Sequence, residues 1–224
     1  MKLDKRIVTL GFLILAAAII GKLAWSGLKK IKVDDFRPEA VMFVVDSSAS
    51  NQKDLPQQKK LVRQICNLLD PEDKIKIFNV SEDAYLIYEG SPMNGSNITK
   101  ALDEYTKYNA KDYGTAYGDG LKKAFKYALT MKEAGYSPAI VVIGDLANEG
   151  KIEKQINWDT LPENVKNVKK YAPELSMMFL DAHPSKLDVV KDKLTPVLGE
   201  TKLIIATRAD SDKAIRNFIN KLRD

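Results

Sequence analysis

Residues 41–50 read VMFVVDSSAS, an apolar run followed by an aspartate and a serine-rich segment. The unbroken apolar run from Val41 to Val45 is typical of a strand that is buried on both faces of a parallel sheet. The run stops at Asp46, and a serine-rich segment follows it. In open α/β sheets, ligands bind beyond the carboxyl ends of such strands. The stretch therefore predicts a central strand with a ligand-binding loop at its end.

Strand-like and helix-like segments alternate after this stretch. Asp54 and Pro56 are predicted to open a helix. Lys74 to Val80 and Ala84 to Glu89 are predicted strands, and the three residues that join them force an antiparallel pair. The other predicted elements are strands at 139–143, 175–180 and 203–206, helices at 96–107, 121–128 and 215–222, and a glycine-containing loop at 111–120.

Alternation of strands and helices predicts a doubly wound, Rossmann-like α/β fold. We expect a mostly parallel sheet of about six strands, with one antiparallel edge strand and helices on both faces. The strand order of such a sheet reverses at a switch point, where ligands bind. We therefore expect the ligand site just after Val45 and Ile143, where two of the predicted strands end. An aspartate follows closely in both cases, Asp46 in the first and Asp145 in the second.

Asp46, Ser48 and Ser50 form a D-x-S-x-S pattern. Alternate side chains of an extended or looped chain point the same way, so these three can converge. A carboxylate with two hydroxyls is a hard-oxygen set that suits Mg²⁺, Ca²⁺ or Mn²⁺. Thr115 can add a hydroxyl, and Asp145 can add a carboxylate directly or through water. The competing interpretation is that the serines only cap the next helix.

These segments resemble the metal-ion-dependent adhesion site of von Willebrand factor A-type domains. VVDSSAS at 44–50 matches the family's D-x-S-x-S motif, and YGTAYGDGL at 113–121 matches its threonine-containing segment. VVIGDLANEG at 141–150 matches the third motif, in which an aspartate closes a strand. The resemblance covers about residues 38–223.

The third motif departs from the family pattern. Gly144 and Leu146 flank Asp145 where the family usually has threonine and glycine. In the family, an acidic side chain of a partner protein fills the open coordination position of the metal. The resemblance therefore implies protein–protein recognition in which Mg²⁺, or else Ca²⁺ or Mn²⁺, bridges the domain to a glutamate or aspartate of the partner.

The amino-terminal part of the chain differs in character from the rest. Residues 7–21 read IVTLGFLILAAAIIG, and the apolar segment reaches the length of a transmembrane helix at residue 25 if Lys22 extends its amine to the interface. The alternative is a cleavable signal peptide with a processing site at 16–18. The predicted organisation is a basic N-terminus (1–6), a transmembrane helix (7–25), a tether (26–37) and an A-type domain (38–224).

We expect a single-pass membrane protein whose globular domain is extracytoplasmic. The chain has a formal net charge of +5, with 35 lysine and arginine residues against 30 acidic ones. Residues 1–37 hold eight basic and three acidic residues, which leaves 27 of each sign in residues 38–224. A neutral domain gives no electrostatic basis for nucleic-acid binding. The single Cys66 and single His183 exclude an intramolecular disulfide and a zinc site of the Cys/His type.

Two other functions compete with metal-dependent recognition. Phosphatases of the haloacid dehalogenase type also place an aspartate after the first strand, bind Mg²⁺ and carry a later G-D segment, as Gly144 and Asp145 do. Their first motif is D-x-D, but here the second position is Ser48, which does not transfer protons near neutral pH. The third possibility is a structural adaptor that folds with its metal site unused. Because Ser48 replaces the second acid, we expect a non-enzymatic interaction domain. Tyr113 and Tyr117 beside the proposed metal are a hint of a recognition surface.

Overall fold

The computed structural model describes residues 37–108 and 114–223, which are built around a six-stranded sheet. Its strands are β1 (Glu39–Asp46), β2 (Lys74–Val80), β3 (Ala84–Gly90), β4 (Ser137–Ile143), β5 (Ser176–Leu180) and β6 (Leu203–Ile205). Their order across the sheet is β3-β2-β1-β4-β5-β6, and only the pair of β2 and β3 is antiparallel. The predicted sheet with one antiparallel edge strand is confirmed.

Helices cover both faces of the sheet. They are α1 (Leu55–Cys66), α2 (Gly95–Tyr108), α3 (Tyr117–Glu133), α4 (Leu161–Lys169), α5 (Pro184–Leu198) and α6 (Ser211–Arg223), with short 3₁₀ helices at Ala49–Asp54, Ile152–Lys154 and Arg208–Asp210. Helices α3, α4 and α5 contribute to one hydrophobic core, and helices α1, α2 and α6 contribute to the other. The fold is therefore a three-layer α/β/α arrangement.

Strand β1 takes part in both cores. Met42 and Val44 belong to the core beneath α3, whereas Phe43 and Val45 belong to the core beneath α1. Successive side chains of a strand point to opposite faces, so an unbroken apolar run supplies both layers at once. Every residue of β1 is buried. This explains why the apolar run identified the central strand.

The predicted loop at 111–120 ends earlier than expected, because α3 begins at Tyr117. Two glycines that suggested a loop, Gly118 and Gly120, lie instead in the first turn of this helix. There is no room for a side chain at either of these two positions. A Cβ atom at Gly118 would lie 2.1 Å from the carbonyl oxygen of Gln155, and one at Gly120 would lie 2.7 Å from a methyl group of Val44. These glycines serve close packing rather than a turn.

The strand order brings β1 and β4 together at the centre of the sheet. They are parallel, with Val45 in register with Ile143, so their carboxyl ends lie side by side. The chain leaves β1 for β2 on one side, and it returns through β4 on the other side. This reversal is the switch point at which α/β sheets bind ligands. The loops after Asp46 and Ile143 therefore meet where the sequence predicted.

The predicted transmembrane helix at 7–25 lies outside the described residues, as do the basic N-terminus and most of the tether. Within residues 37–108 and 114–223, each helix is too short or too polar to cross a membrane. The predicted anchor therefore stays a prediction.

Candidate metal centre

The first loop of the site begins at Asp46, the last residue of β1. One carboxylate oxygen of Asp46 accepts a hydrogen bond from the backbone N–H of Ser48 at 2.8 Å. The other oxygen accepts one from the side-chain amide of Asn51 at 2.9 Å. Ser47 and Ser48 are fully buried, and the side chain of Ser50 lies outside what the structure describes. The loop therefore wraps around the carboxylate.

Ser48 does not act as a simple helix cap. Ser48 immediately precedes the 3₁₀ helix at Ala49–Asp54, but its side chain caps no backbone N–H there. The next helix, α1, starts from Asp54, whose side chain also forms no capping hydrogen bond. Asp54 instead pairs with Arg208 at 2.8 Å. The competing interpretation of the serine-rich segment as a cap has no support in these contacts.

The charge of Asp46 has no basic partner. Its carboxylate is 1% exposed, and no lysine or arginine of the described residues forms an ion pair with it. The pKa of Asp46 is raised to about 6, because burial and the nearby charge of Asp145 raise it by more than the hydrogen bonds from Ser48 and Tyr117 lower it. Asp46 is therefore mainly ionised at neutral pH. Buried charges are normally paired or bound to metal ions.

Tyr117 joins the first and third loops. Its hydroxyl donates a hydrogen bond to Asp46 at 2.8 Å and accepts one from the backbone N–H of Leu146 at 3.3 Å. Burial, together with the charges of Asp46 and Asp145, raises the pKa of this phenol well above its usual range, so it stays protonated. Tyr117 is 0% exposed, so its predicted place on a recognition surface is wrong.

Thr115 lies in the second loop, between the segments that follow β2 and β4. Its backbone N–H donates to the carbonyl of Glu149 at 3.2 Å, and the next N–H, of Ala116, donates to the carbonyl of Ser81 at 2.7 Å. The Thr115 side chain is buried, yet its hydroxyl oxygen has no hydrogen-bond partner among the described residues. Buried polar atoms without a partner are rare and usually have a functional or solvent explanation.

Asp145 lies in the third loop, two residues beyond the end of β4. One of its carboxylate oxygens accepts a hydrogen bond from the backbone N–H of Ala147 at 2.8 Å, and its carbonyl accepts one from His183 at 3.2 Å. The carboxylate is partly exposed, in contrast to that of Asp46. Asp145 is therefore held at the carboxyl end of the sheet and remains partly exposed to solvent.

The two departures from the family pattern have different structural consequences. Leu146 has a backbone φ of 61°, the left-handed conformation that a glycine favours, and its side chain is buried in the core. The loop thus keeps a glycine-like shape, and the buried leucine offsets part of the strain. Gly144 has a φ of 146°, and a Cβ atom there would lie 2.1 Å from the hydroxyl of Tyr117. A threonine does not fit at position 144.

The predicted residues thus fall on three adjoining loops. Asp46 and Ser48 are in contact, and Tyr117 ties Asp46 to the loop that carries Asp145. Thr115 lies two residues before Tyr117. The described residues contain no group of three or more His, Cys, Asp or Glu side chains suited to a metal, so any site here depends on hydroxyl oxygens. The sequence analysis did not predict that Asn51 and Tyr117 hold the Asp46 carboxylate.

Comparison with protein-family models gives a match over part of the chain. The family model for the von Willebrand factor type A domain matches residues 41–149, a range that contains all five predicted metal ligands. No curated protein is significantly similar to the chain in sequence.

Several solved structures share the fold at low sequence identity. Proximal thread matrix protein 1 from the mussel byssus is 16% identical with a TM-score of 0.56, over 85% of this chain and 47% of that one. A von Willebrand factor type A protein from Catenulispora acidiphila is 16% identical with a TM-score of 0.57, over 84% and 43%. The pilus adhesin SpaC from Lactobacillus rhamnosus GG is 11% identical with a TM-score of 0.61, over 84% and 31%. The match spans less than half of each of these proteins, and it shows a shared fold.

Proposed function

We propose that this von Willebrand factor A-type domain binds a divalent cation through Asp46, Ser48, Ser50, Thr115 and Asp145. The observation that carries the proposal is the buried, ionised carboxylate of Asp46, which no basic residue of the described part of the chain neutralises. A cation beside it would supply the missing charge.

The residues present fit a hard cation. All five side chains offer oxygen, the donor type that Mg²⁺, Ca²⁺ and Mn²⁺ prefer. The hydroxyl oxygen of Thr115, which has no hydrogen-bond partner among the described residues, supports this choice, because a cation would satisfy it. Both oxygens of Asp46 already accept hydrogen bonds, so Asp46 would contact a cation through its remaining lone pairs or through water. Mg²⁺ is the expected ion, with Ca²⁺ and Mn²⁺ as alternatives.

The cation would serve recognition of another protein. Mg²⁺ takes about six oxygen ligands, so five protein side chains leave room for an acidic side chain of a partner. A charge-assisted contact of this kind is strong in a partly dry site. Two proteins of the same fold are a byssal matrix protein and a pilus adhesin, which supports an adhesive or assembly role.

Catalysis is not part of the proposal. Phosphoryl transfer of the haloacid dehalogenase type needs a second acid two residues after the first aspartate, and Ser48 occupies that position. Asn51 and Tyr117 donate to one oxygen of Asp46, and the backbone N–H of Ser48 donates to the other. These hydrogen bonds restrain the carboxylate from attacking a phosphate. The proposed function is therefore binding.

Residues 7–25 would anchor the domain to a membrane, with the globular part extracytoplasmic. The support for this is the length of the apolar segment and the cluster of basic residues beside it. Attachment to a membrane raises the effective concentration of the domain near a partner on the same surface, so that even a weak contact can form.

The first test measures metal binding by the full chain. Asp46→Asn keeps the size of the side chain but removes its charge, so Mg²⁺ affinity in calorimetric titration should fall by at least about tenfold. Asp119→Asn is the matched control, because Asp119 is a partly exposed acid of a neighbouring segment that pairs with Lys122 at 3.3 Å. Equal Mg²⁺ binding by the wild type and Asp46→Asn would refute the proposed site.

The second test asks whether the metal bridges to a partner. Cross-linking of the full chain to its neighbours is compared in Mg²⁺, in EDTA and in the Asp46→Asn variant. We expect partner cross-links in Mg²⁺ alone, because both other conditions remove the bridging charge. Cross-links that persist in EDTA and in the variant would identify a structural adaptor instead.

A further inference from the structure

We propose that Tyr117 is a positioning residue for the metal centre, and that its hydroxyl replaces the side chain that is missing at position 144. The part of this inference that concerns metal affinity rests on the proposed function. The part that concerns the exchange between Tyr117 and Gly144 is independent of any metal.

The hydroxyl of Tyr117 has two partners, one from each side of the switch point. It donates to Asp46 at the end of β1 and accepts from the backbone N–H of Leu146 beyond β4. Tyr117 is fully buried, and it lies in the first turn of α3, directly after the loop that carries Thr115. One side chain thus connects all three loops that would hold the cation.

The same hydroxyl occupies the space next to Gly144. A Cβ atom on Gly144 would lie 2.1 Å from that oxygen and 2.6 Å from the Cβ of Asp46. Real Cβ atoms do not approach other heavy atoms so closely, so a side chain at 144 and the Tyr117 hydroxyl exclude one another. The chain has a polar oxygen at this place, but the oxygen comes from α3 rather than from the end of β4.

This origin has a consequence for the site. A hydroxyl at the tip of a rigid, buried aromatic ring has little freedom, and it holds the Asp46 carboxylate in one orientation. Groups that orient metal ligands in this way typically contribute about 10–100-fold to metal affinity. Tyr117 would therefore act through Asp46, without contact to the cation itself.

Metal affinity provides the first test. Mn²⁺ is used as the probe, and its binding to the full chain is measured by electron paramagnetic resonance. Tyr117→Phe should weaken Mn²⁺ binding by about tenfold with unchanged stoichiometry. Tyr127→Phe removes a hydroxyl from the same helix and should have no effect. Val165→Ala, a cavity in the core beneath α4, shows how much affinity is lost when stability alone falls.

Two results of this measurement are decisive. The positioning role would be overturned if Tyr117→Phe bound Mn²⁺ as tightly as the wild type does. It would also be overturned if Tyr117→Phe lost no more Mn²⁺ affinity than Val165→Ala loses. If the wild type itself binds no Mn²⁺, the proposed function fails and the positioning role fails with it, whereas the exchange between Tyr117 and Gly144 is decided by the second test.

The second test is a double-mutant cycle in EDTA. Gly144→Ala is made in the wild type and in Tyr117→Phe, and the melting temperature of each chain is measured. Because the hydroxyl is absent from Tyr117→Phe, Gly144→Ala should lower the melting temperature less in that background. An equal loss in both backgrounds would overturn the exchange. The result is a difference between the losses in the two backgrounds, so a general cost of Tyr117→Phe does not affect it.

Discussion

At the scale of single residues, Glu39 is the most unusual group outside the candidate metal centre. It is the first residue of β1, it is buried, and one of its carboxylate oxygens has no hydrogen-bond partner among the described residues. The pKa of Glu39 is raised to about 8, because burial and the charges of Asp73 and Glu174 raise it by more than the charges of Lys202 and Arg223 lower it. Glu39 is therefore protonated in the folded chain at neutral pH.

This pKa predicts a pH dependence of stability. The folded chain holds a proton on Glu39 that the unfolded chain, with a pKa of 4.5, has already released, so stability falls as pH rises from about 5 to about 8. The maximum slope from one proton is about 1.4 kcal/mol per pH unit. Glu39→Gln should flatten this part of the curve, as measured by urea unfolding at pH 5, 6.5 and 8. An unchanged slope in the variant would contradict the prediction.

The site residues that could be predicted are those whose role depends on neighbours close in the sequence. Asp46 and Ser48 stand at or just after the end of β1, so the local pattern places them at the switch point. Thr115 does not follow a strand, and its place was predicted from its resemblance to the family's threonine-containing segment. Tyr117 reaches Asp46 across 71 residues of chain, and its role depends on the first turn of α3 meeting the end of β1. No local pattern carries that information, and a tyrosine beside a binding loop suggested a surface instead.

At the scale of elements, the first turn of α3 is limited by close packing. The carbonyl of Gln155 lies where a side chain of Gly118 would be. Gly118→Ala should therefore destabilise the domain by about 1–3 kcal/mol, the usual cost of overpacking. Gly95→Ala is the control, since nothing lies within 4 Å of a Cβ there and alanine favours a helix. Urea unfolding measures both, and equal stabilities would disprove the packing role of Gly118.

Periodicity predicted the long elements and missed a short one. The strands at the centre and the antiparallel edge pair agree with the sequence because their apolar runs are long and their connection is short. Helix α4 escaped prediction because it has nine residues and buries only Leu161, Val165 and Val168, too few for a clear helical period. The boundary of α3 was misplaced because glycine normally signals a turn.

At the scale of the whole molecule, the uneven charge leads to a prediction about membrane attachment. All of the net positive charge lies in residues 1–37, beside the apolar segment. Leu13→Lys together with Ala17→Lys places two charges in this segment, each at a cost of about 2.5–3.5 kcal/mol at a helix centre. The double variant should be absent from the membrane fraction that remains after a carbonate wash. Ile31→Lys, in the predicted tether, should stay with the wild type.

The mass of the mature chain separates the two interpretations of the segment. An uncleaved anchor keeps residues 1–25 in the membrane-bound protein, whereas a signal peptide leaves a chain that begins near residue 19. Mass spectrometry of the purified protein measures this directly. A shortened chain would rule out anchoring by residues 7–25.

The mutual exclusion of Tyr117 and a side chain at position 144 also constrains how such sequences diverge. A threonine at 144 would collide with the phenol of Tyr117. If the phenol is lost first, Asp46 loses one of its hydrogen bonds and the backbone N–H of Leu146 loses the one that it donates to Tyr117. Each single step is thus disfavoured, so the two positions should change together during evolution. A glycine before the third-motif aspartate then need not indicate a degenerate site: a tyrosine two residues after the second-motif threonine would mark the same site in a second evolutionary form.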